Sequence, residues 1–201
     1  MNNKYIKTGL FGLFFYTLMG CSSVLNTPDS ALGGTHFYSL TALSPVDASL
    51  NNNKLRIGVG PVEIPRLLNR PQIISRKKSA EILMAEKHQW GGSYKEELVQ
   101  ALTDNFTNLL STENIEQYPW KLSFKPTYHV RINIERFDGQ LGKSITLKAR
   151  WRLFKNNKEV VVKRSVITVA TQGRSYGNYV QAQSQALAQL STKIASFIHK
   201  H

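Results

Sequence analysis

The chain is poor in cysteine, in acidic residues and in long apolar runs. Cys21 is its only cysteine, so no internal disulfide can form. Its 13 acidic residues are outnumbered by 26 Lys and Arg, for a formal charge of +13. Asp29, Asp47, Asp104 and Asp138 stand apart, in turn-like or helix-surface contexts, with no paired carboxylate suited to acid–base work. His36, His88, His129, His199 and His201 are scattered, and only the last two are neighbours, so no metal-site spacing emerges. Gly58-Val59-Gly60-Pro61 lacks the Gly-Lys-Ser/Thr ending of a phosphate loop. With no nucleophile and base to pair, a non-catalytic protein without a cofactor or metal is expected. After residue 20 no stretch approaches the ~20 apolar residues that span a bilayer.

What is present begins at the N-terminus. Lys4 and Lys7 are followed by the apolar stretch Leu10–Leu18 and then by Leu18-Met19-Gly20-Cys21. Charged, apolar and small-residue zones in that order are a secretory signal. The ending resembles the bacterial lipobox, in which the cysteine receives a diacylglycerol and becomes the mature N-terminus. Residues 1–20 are therefore expected to be removed and Cys21 to carry covalent lipid. Two or more acyl chains anchor stably, at about 0.8 kcal/mol per buried methylene. Ser22, by resemblance to the sorting rule of enteric bacteria, favours the outer membrane, with the body facing the periplasm.

Residues 21–35, small, polar and turn-prone after the cysteine, read as a lipidated tether reaching at most about 50 Å. Residues 36–201 are enough for one domain. Loss of Lys4 and Lys7 with the signal leaves a mature charge of +11. So basic a chain raises nucleic acid first, but export removes it from that partner. Anionic headgroups, lipopolysaccharide phosphates or an acidic protein are the remaining counter-surfaces, and a merely solvated charged face is the alternative.

The patterning predicts an α+β domain: an antiparallel sheet, made of short N-terminal strands and a three-strand C-terminal meander, packed against two helices. Short strands are expected at His36–Leu40, around Leu55–Val59, at Gln72–Arg76 and at Glu81–Glu86. Leu98, Leu102, Phe106, Leu109 and Leu110 define a helix over 93–111, with Ser93 and Glu96 as a capping box. Apolar and polar residues alternate over Tyr128–Glu135 and Ile145–Leu153, with Asp138-Gly139 as a turn signal. Asn156-Asn157 then turns the chain into Val160–Val169. Val180, Leu187, Leu190, Ile194 and Phe197 stripe a final helix from about Asn178, a candidate cap, to His199.

Two features stand outside this scaffold. Gly60–Arg76 contains Pro61, Pro65 and Pro71, which restrict the backbone and remove donors, so it cannot be a central strand throughout. Arg66, Arg70 and Arg76 would project from it towards carboxylates or phosphates, or simply towards solvent. The second is the row Lys148, Arg150 and Arg152 on the polar face of one strand. Neighbouring acids such as Glu135 offset these charges, or an anionic surface covers them.

The run Gly60-Pro61-Val62-x-Ile64-Pro65-x-x-Leu68-Asn69-Arg70-Pro71-Gln72-Ile73-x-x-Arg76 resembles the signature of the PqiC (YmbA) lipoproteins, auxiliary components of ABC-type and MCE transport systems. Phe37-Tyr38-x-Leu40, Trp90, Leu98 and Leu147-x-Ala149-x-Trp151-x-Leu153 add to it, and with the lipobox the likeness spans nearly the whole chain. Gly91-Gly92-Ser93 after Trp90 departs from the family's more polar or Pro-containing helix entry. The resemblance implies an accessory subunit at the outer membrane that engages a periplasmic MCE-domain protein of a Pqi-type system, moving lipid between membranes and supporting envelope integrity. Pro61, Pro65, Leu68, Arg70, Pro71 and Arg76 are the expected partner contacts, and docking on a ring-shaped tunnel would make a homo-oligomer reasonable. Two other classes compete: a lipid- or lipopolysaccharide-binding lipoprotein, and a structural lipoprotein that activates a cell-wall enzyme or supports a secretion pore.

Overall fold

The chain folds into eight strands and two helices among the described residues. The computed structural model describes residues 34–44, 54–78 and 80–200. The expectations for the export signal and for Cys21 lie outside them. In chain order the elements are β1 (His36–Tyr38), β2 (Ile57–Glu63), β3 (Gln72–Arg76), β4 (Ile82–Trp90) and α1 (Tyr94–Leu110). They continue with β5 (Ile115–Gln117), β6 (Tyr128–Gln140), β7 (Ser144–Lys155), β8 (Lys158–Ala170) and α2 (Tyr176–Lys200). The class is α+β, as expected, with mostly antiparallel sheets. Two sheets form, ordered β1-β4-β3 and β5-β2-β6-β7-β8. Parallel pairs occur where β2 lies between β5 and β6 and where β1 meets β4.

The meander β6-β7-β8 is the spine of the larger sheet. Val130, Ile132 and Ile134 on β6 and Ile145, Leu147, Ala149, Trp151 and Leu153 on β7 are buried on one face. Asn156 and Asn157 both take positive φ, 47° and 65°, the two left-handed positions of a tight hairpin turn. Asp138-Gly139 is not a turn. A register shift between Ile134 and Arg136 resets the alternation, and β6 runs on to Gln140. Gly139 is needed there for close approach, since an added Cβ would lie 2.0 Å from the Ser144 carbonyl oxygen.

Both helices pack on the inner face of this sheet, α1 against β2 and α2 against β7 and β8, and against each other. Leu98, Leu102, Phe106 and Leu110 of α1 and Val180, Leu187, Leu190 and Ile194 of α2 enter the core; Leu109 and Phe197 pack at its margin. Each fully buried side chain of this size contributes about 1.5–3 kcal/mol. The caps differ from expectation. Ser93 makes no side-chain cap bond, and the neighbouring Glu97 carboxylate instead accepts hydrogen bonds from Ser39 Oγ and the Leu40 N–H. Asn178 lies inside the first turn of α2, and the cap is Ser175, whose Oγ accepts the Asn178 N–H.

Beyond β1 the chain is pinned along the α1–α2 seam. The Thr41 N–H donates to Ser184 Oγ and the Leu43 N–H to Asn105 Oδ1, while Asn108 Nδ2 donates to the Leu43 carbonyl. β5 was not legible in advance: Ile115-Glu116-Gln117 is three residues long, without an apolar period.

Candidate functional site

β2 carries the chain into the proline-rich segment. Pro61, after a cis Gly60–Pro61 bond, is accommodated inside β2 by a register shift between Val59 and Val62. The missing proline donor falls at this irregularity, and β5 pairs only with Ile57–Val59. After Glu63 the chain makes a tight turn, with the Leu68 N–H donating to the Pro65 carbonyl at 2.9 Å and the Asn69 N–H to Arg66 at 3.2 Å. Leu68, only 4% exposed, anchors this turn in the core. The Trp90 N–H donates to the Pro71 carbonyl and ties the far end to β4.

The surface this creates is selective. Arg66 and Pro71 are exposed, and Pro61, Pro65 and Arg70 are half-buried. Arg70 reaches across β4, where its Nη1 donates to Met84 Sδ. Its Nε is buried and, among the described residues, has no hydrogen-bond partner. Beside it β4 exposes Ile82, Leu83 and Met84, the last at 56%. These three apolar residues were missed at the sequence level; the available signal was an unbroken apolar run between a polar turn and Glu86.

Arg76 does not project as expected. Its Nε lies 2.6 Å from Asp138 Oδ1, and Arg136 Nε lies 2.7 Å from the same oxygen. Asp138 is buried at 2% exposure, so the two cations hold a carboxylate between the two sheets. The bond to Asp138 raises the Arg76 guanidinium above its ordinary pKa. Tyr179 completes the junction: its hydroxyl donates to the Ile74 carbonyl at 2.9 Å and accepts the Gly139 N–H at 2.8 Å. Burial pushes its phenol well up. Leu68 is therefore committed to the core and Arg76 to Asp138, and neither projects freely from the segment.

A second surface is the outer face of the five-stranded sheet. Arg152 pairs across the strands with Arg131 and Val162, Arg150 with Asn133 and Arg164, and Lys148 with Arg136 and Val166. Some of the charge is offset internally: Arg152 meets Glu159 at 3.0 Å, and Arg164 binds Glu135. Arg131 lies 4.9 Å above the Phe154 ring. Among the described residues Lys148 and Arg150 have no ion-pair partner. Pro61, Glu63, Arg131, Asn133, Arg150 and Arg152 line a groove of ≈ 330 Å³ here.

At one end of this face His129 is buried, stacked on Phe154 at 4.4 Å and flanked by Trp120. Both its ring nitrogens lack partners among the described residues. Burial, and then the charge of Arg131, lowers its pKa.

Among the described residues no group of three or more His, Cys, Asp or Glu is arranged to hold a metal. No described helix is long and apolar enough to cross a membrane. The family of ABC-type transport auxiliary lipoprotein components matches residues 38–195, which include the proline-rich turn, the Asp138 junction and the cationic face. The chain belongs to this family. ABC-type transport auxiliary lipoprotein components are accessory transport proteins and not an enzyme family. Among solved structures, that of an uncharacterized protein aligns with a TM-score of 0.68 at 16% identity, covering 82% of this chain and 99% of that one. Protein XCC0632 from Xanthomonas campestris aligns with a TM-score of 0.66 at 15% identity, over 82% and 94%. At these identities the likeness is one of fold. Among curated proteins none matches the chain.

Proposed function

We propose that this auxiliary lipoprotein is a non-catalytic docking subunit of an intermembrane lipid-transport system. In this reading residues 1–20 are removed, acyl chains on Cys21 hold the protein at the outer membrane, residues 21–35 are the tether and 36–201 the periplasmic docking body. The observation that carries it is Arg70 lying over exposed Met84 with its Nε buried and unpartnered, beside Ile82 and Leu83. A buried donor without an acceptor costs about 1–3 kcal/mol. Arg70, turning outward to a carbonyl or carboxylate of a partner that covers Met84, relieves both defects at once.

The transport role of the family favours a periplasmic MCE-domain protein of a Pqi-type system as that partner. A ring-shaped partner would be met by several copies of this chain. Contact falls on Pro61, Pro65, Arg70 and Pro71, joined by Arg66 and the β4 strip, while Leu68 and Arg76 support them from within.

In-cell photo-crosslinking from positions 66 and 84 tests this reading, with the captured proteins identified by mass spectrometry. Capture of an MCE-domain protein, reduced by Arg70→Glu, is expected. Capture confined to cell-wall enzymes or a pore subunit would replace it with the structural reading.

A further inference from the structure

We propose that the groove between β2, β6 and β7, on the outer face of the five-stranded sheet, binds the phosphate of an anionic lipid headgroup. This goes beyond the docking reading, and its test needs no transport partner.

Like charges are held together along this groove. Arg131 and Arg152 are direct cross-strand partners, and Arg150 follows two residues from Arg152 on the same face. Such neighbours lie about 5–7 Å apart and repel unless an anion sits among them. The internal acids do not remove the excess: Glu159 meets Arg152 and Glu135 meets Arg164, while Arg150 has no acidic partner among the described residues. Glu63, at the β2 rim, is the one carboxylate lining the groove, which directs an anion to the β6–β7 side. Arg131 is held by its cation–π contact over Phe154, so part of the ordering cost of a guanidinium–phosphate contact is already met.

The surroundings select among anions. Val162 and Val166, directly opposite Arg152 and Lys148 and on either side of Arg164, are 47% and 56% exposed, so apolar side chains lie among the cations. A fully hydrated ion gains nothing from Val162 and Val166, whereas the glycerol and upper acyl chain of a lipid do. An acidic peptide adding as a strand is disfavoured. Along the groove β6 and β7 are paired on both sides, and Pro61 has no N–H to offer.

The test is calorimetric titration of the mature lipidated protein in non-ionic detergent at about 0.15 M salt, where free surface charges are screened. Dihexanoyl phosphatidate is compared with dihexanoyl phosphatidylcholine, inorganic phosphate and hexaglutamate. Saturable phosphatidate binding, about tenfold or more tighter than for the other three, is expected. The pair Arg131→Gln and Arg150→Gln should weaken it by about tenfold or more, while Arg66→Gln, on the loop, leaves it unchanged. Arg150→Glu alone, at an exposed side chain, is the second variant and should abolish it. Absent phosphatidate binding, equal affinity for inorganic phosphate or hexaglutamate, or binding indifferent to the Arg131 and Arg150 changes would each overturn the proposal.

Discussion

Arg76 and Arg150 are both strand arginines, and they meet opposite fates. Arg76 is spent inside the molecule, where it and Arg136 hold the buried Asp138 at the junction of the two sheets. Arg150 faces outward, between Asn133 and Arg164, with no ion-pair partner among the described residues. The counter-ion makes the difference. A carboxylate removed from water must keep its cations close, whereas a solvent-facing guanidinium is hydrated and stays open to a ligand. A cation's role therefore follows from the burial of what stands opposite it more than from its own position on a strand.

That contrast can be broken most sharply from its buried side. Asp138→Ala should cost about 3 kcal/mol in denaturant unfolding, because it leaves Arg76 and Arg136 facing each other across a partly buried junction. A loss under about 1 kcal/mol would mean that packing alone joins the sheets. Tyr179→Phe is the next largest, at about 1.5 kcal/mol, since the Ile74 carbonyl loses its donor and the Gly139 N–H its acceptor.

His129 is the uncharged counterpart, a buried base. Its folded pKa is lowered, so the neutral ring is favoured in the fold. The stability this confers is fully present above the unfolded value of about 6.5 and is lost as pH falls below it. His88, lowered by burial and then by His36, adds in the same direction. His129→Phe keeps the stack on Phe154 and removes two unpartnered nitrogens. It should raise stability by about 1 kcal/mol and reduce, without abolishing, the decline from pH 6.5 towards 5. An unchanged pH slope would show that the ring titrates freely in the fold.

The smallest effect belongs to the exposed face. Arg164→Gln breaks the surface pair with Glu135 and should change stability by less than about 0.5 kcal/mol, and by less still at high salt.

Much of the scaffold was legible because its signals are local. The alternation through Tyr128–Ile134 and Ile145–Leu153, and the apolar stripes of both helices, depend only on neighbours within a turn or a pleat. Where the chain departs from those periods, reading failed for identifiable reasons. Asp138-Gly139 has turn chemistry, but a bulge at Ile134–Arg136 carries it into the strand. Ser93 and Asn178 have capping chemistry, yet the contacts formed belong to Glu97 with the β1 exit and to Ser175. Of the proline-rich segment, the exposure of Arg66 was foreseeable, whereas Arg70 is half-buried against Met84. The burial of Leu68 and the strip Ile82–Met84 were not foreseeable, because each depends on what packs across from it.

By itself the sequence determined the α+β class, the two helices, the meander with its Asn156-Asn157 turn and the row of outward cations, all through short-range periodicity and backbone preference. Only the tertiary structure decided which cations are committed. Arg76 and Asp138 stand 62 residues apart and meet only when the two sheets join, and it is the desolvation of that carboxylate that claims Arg76 and leaves Arg150 to solvent.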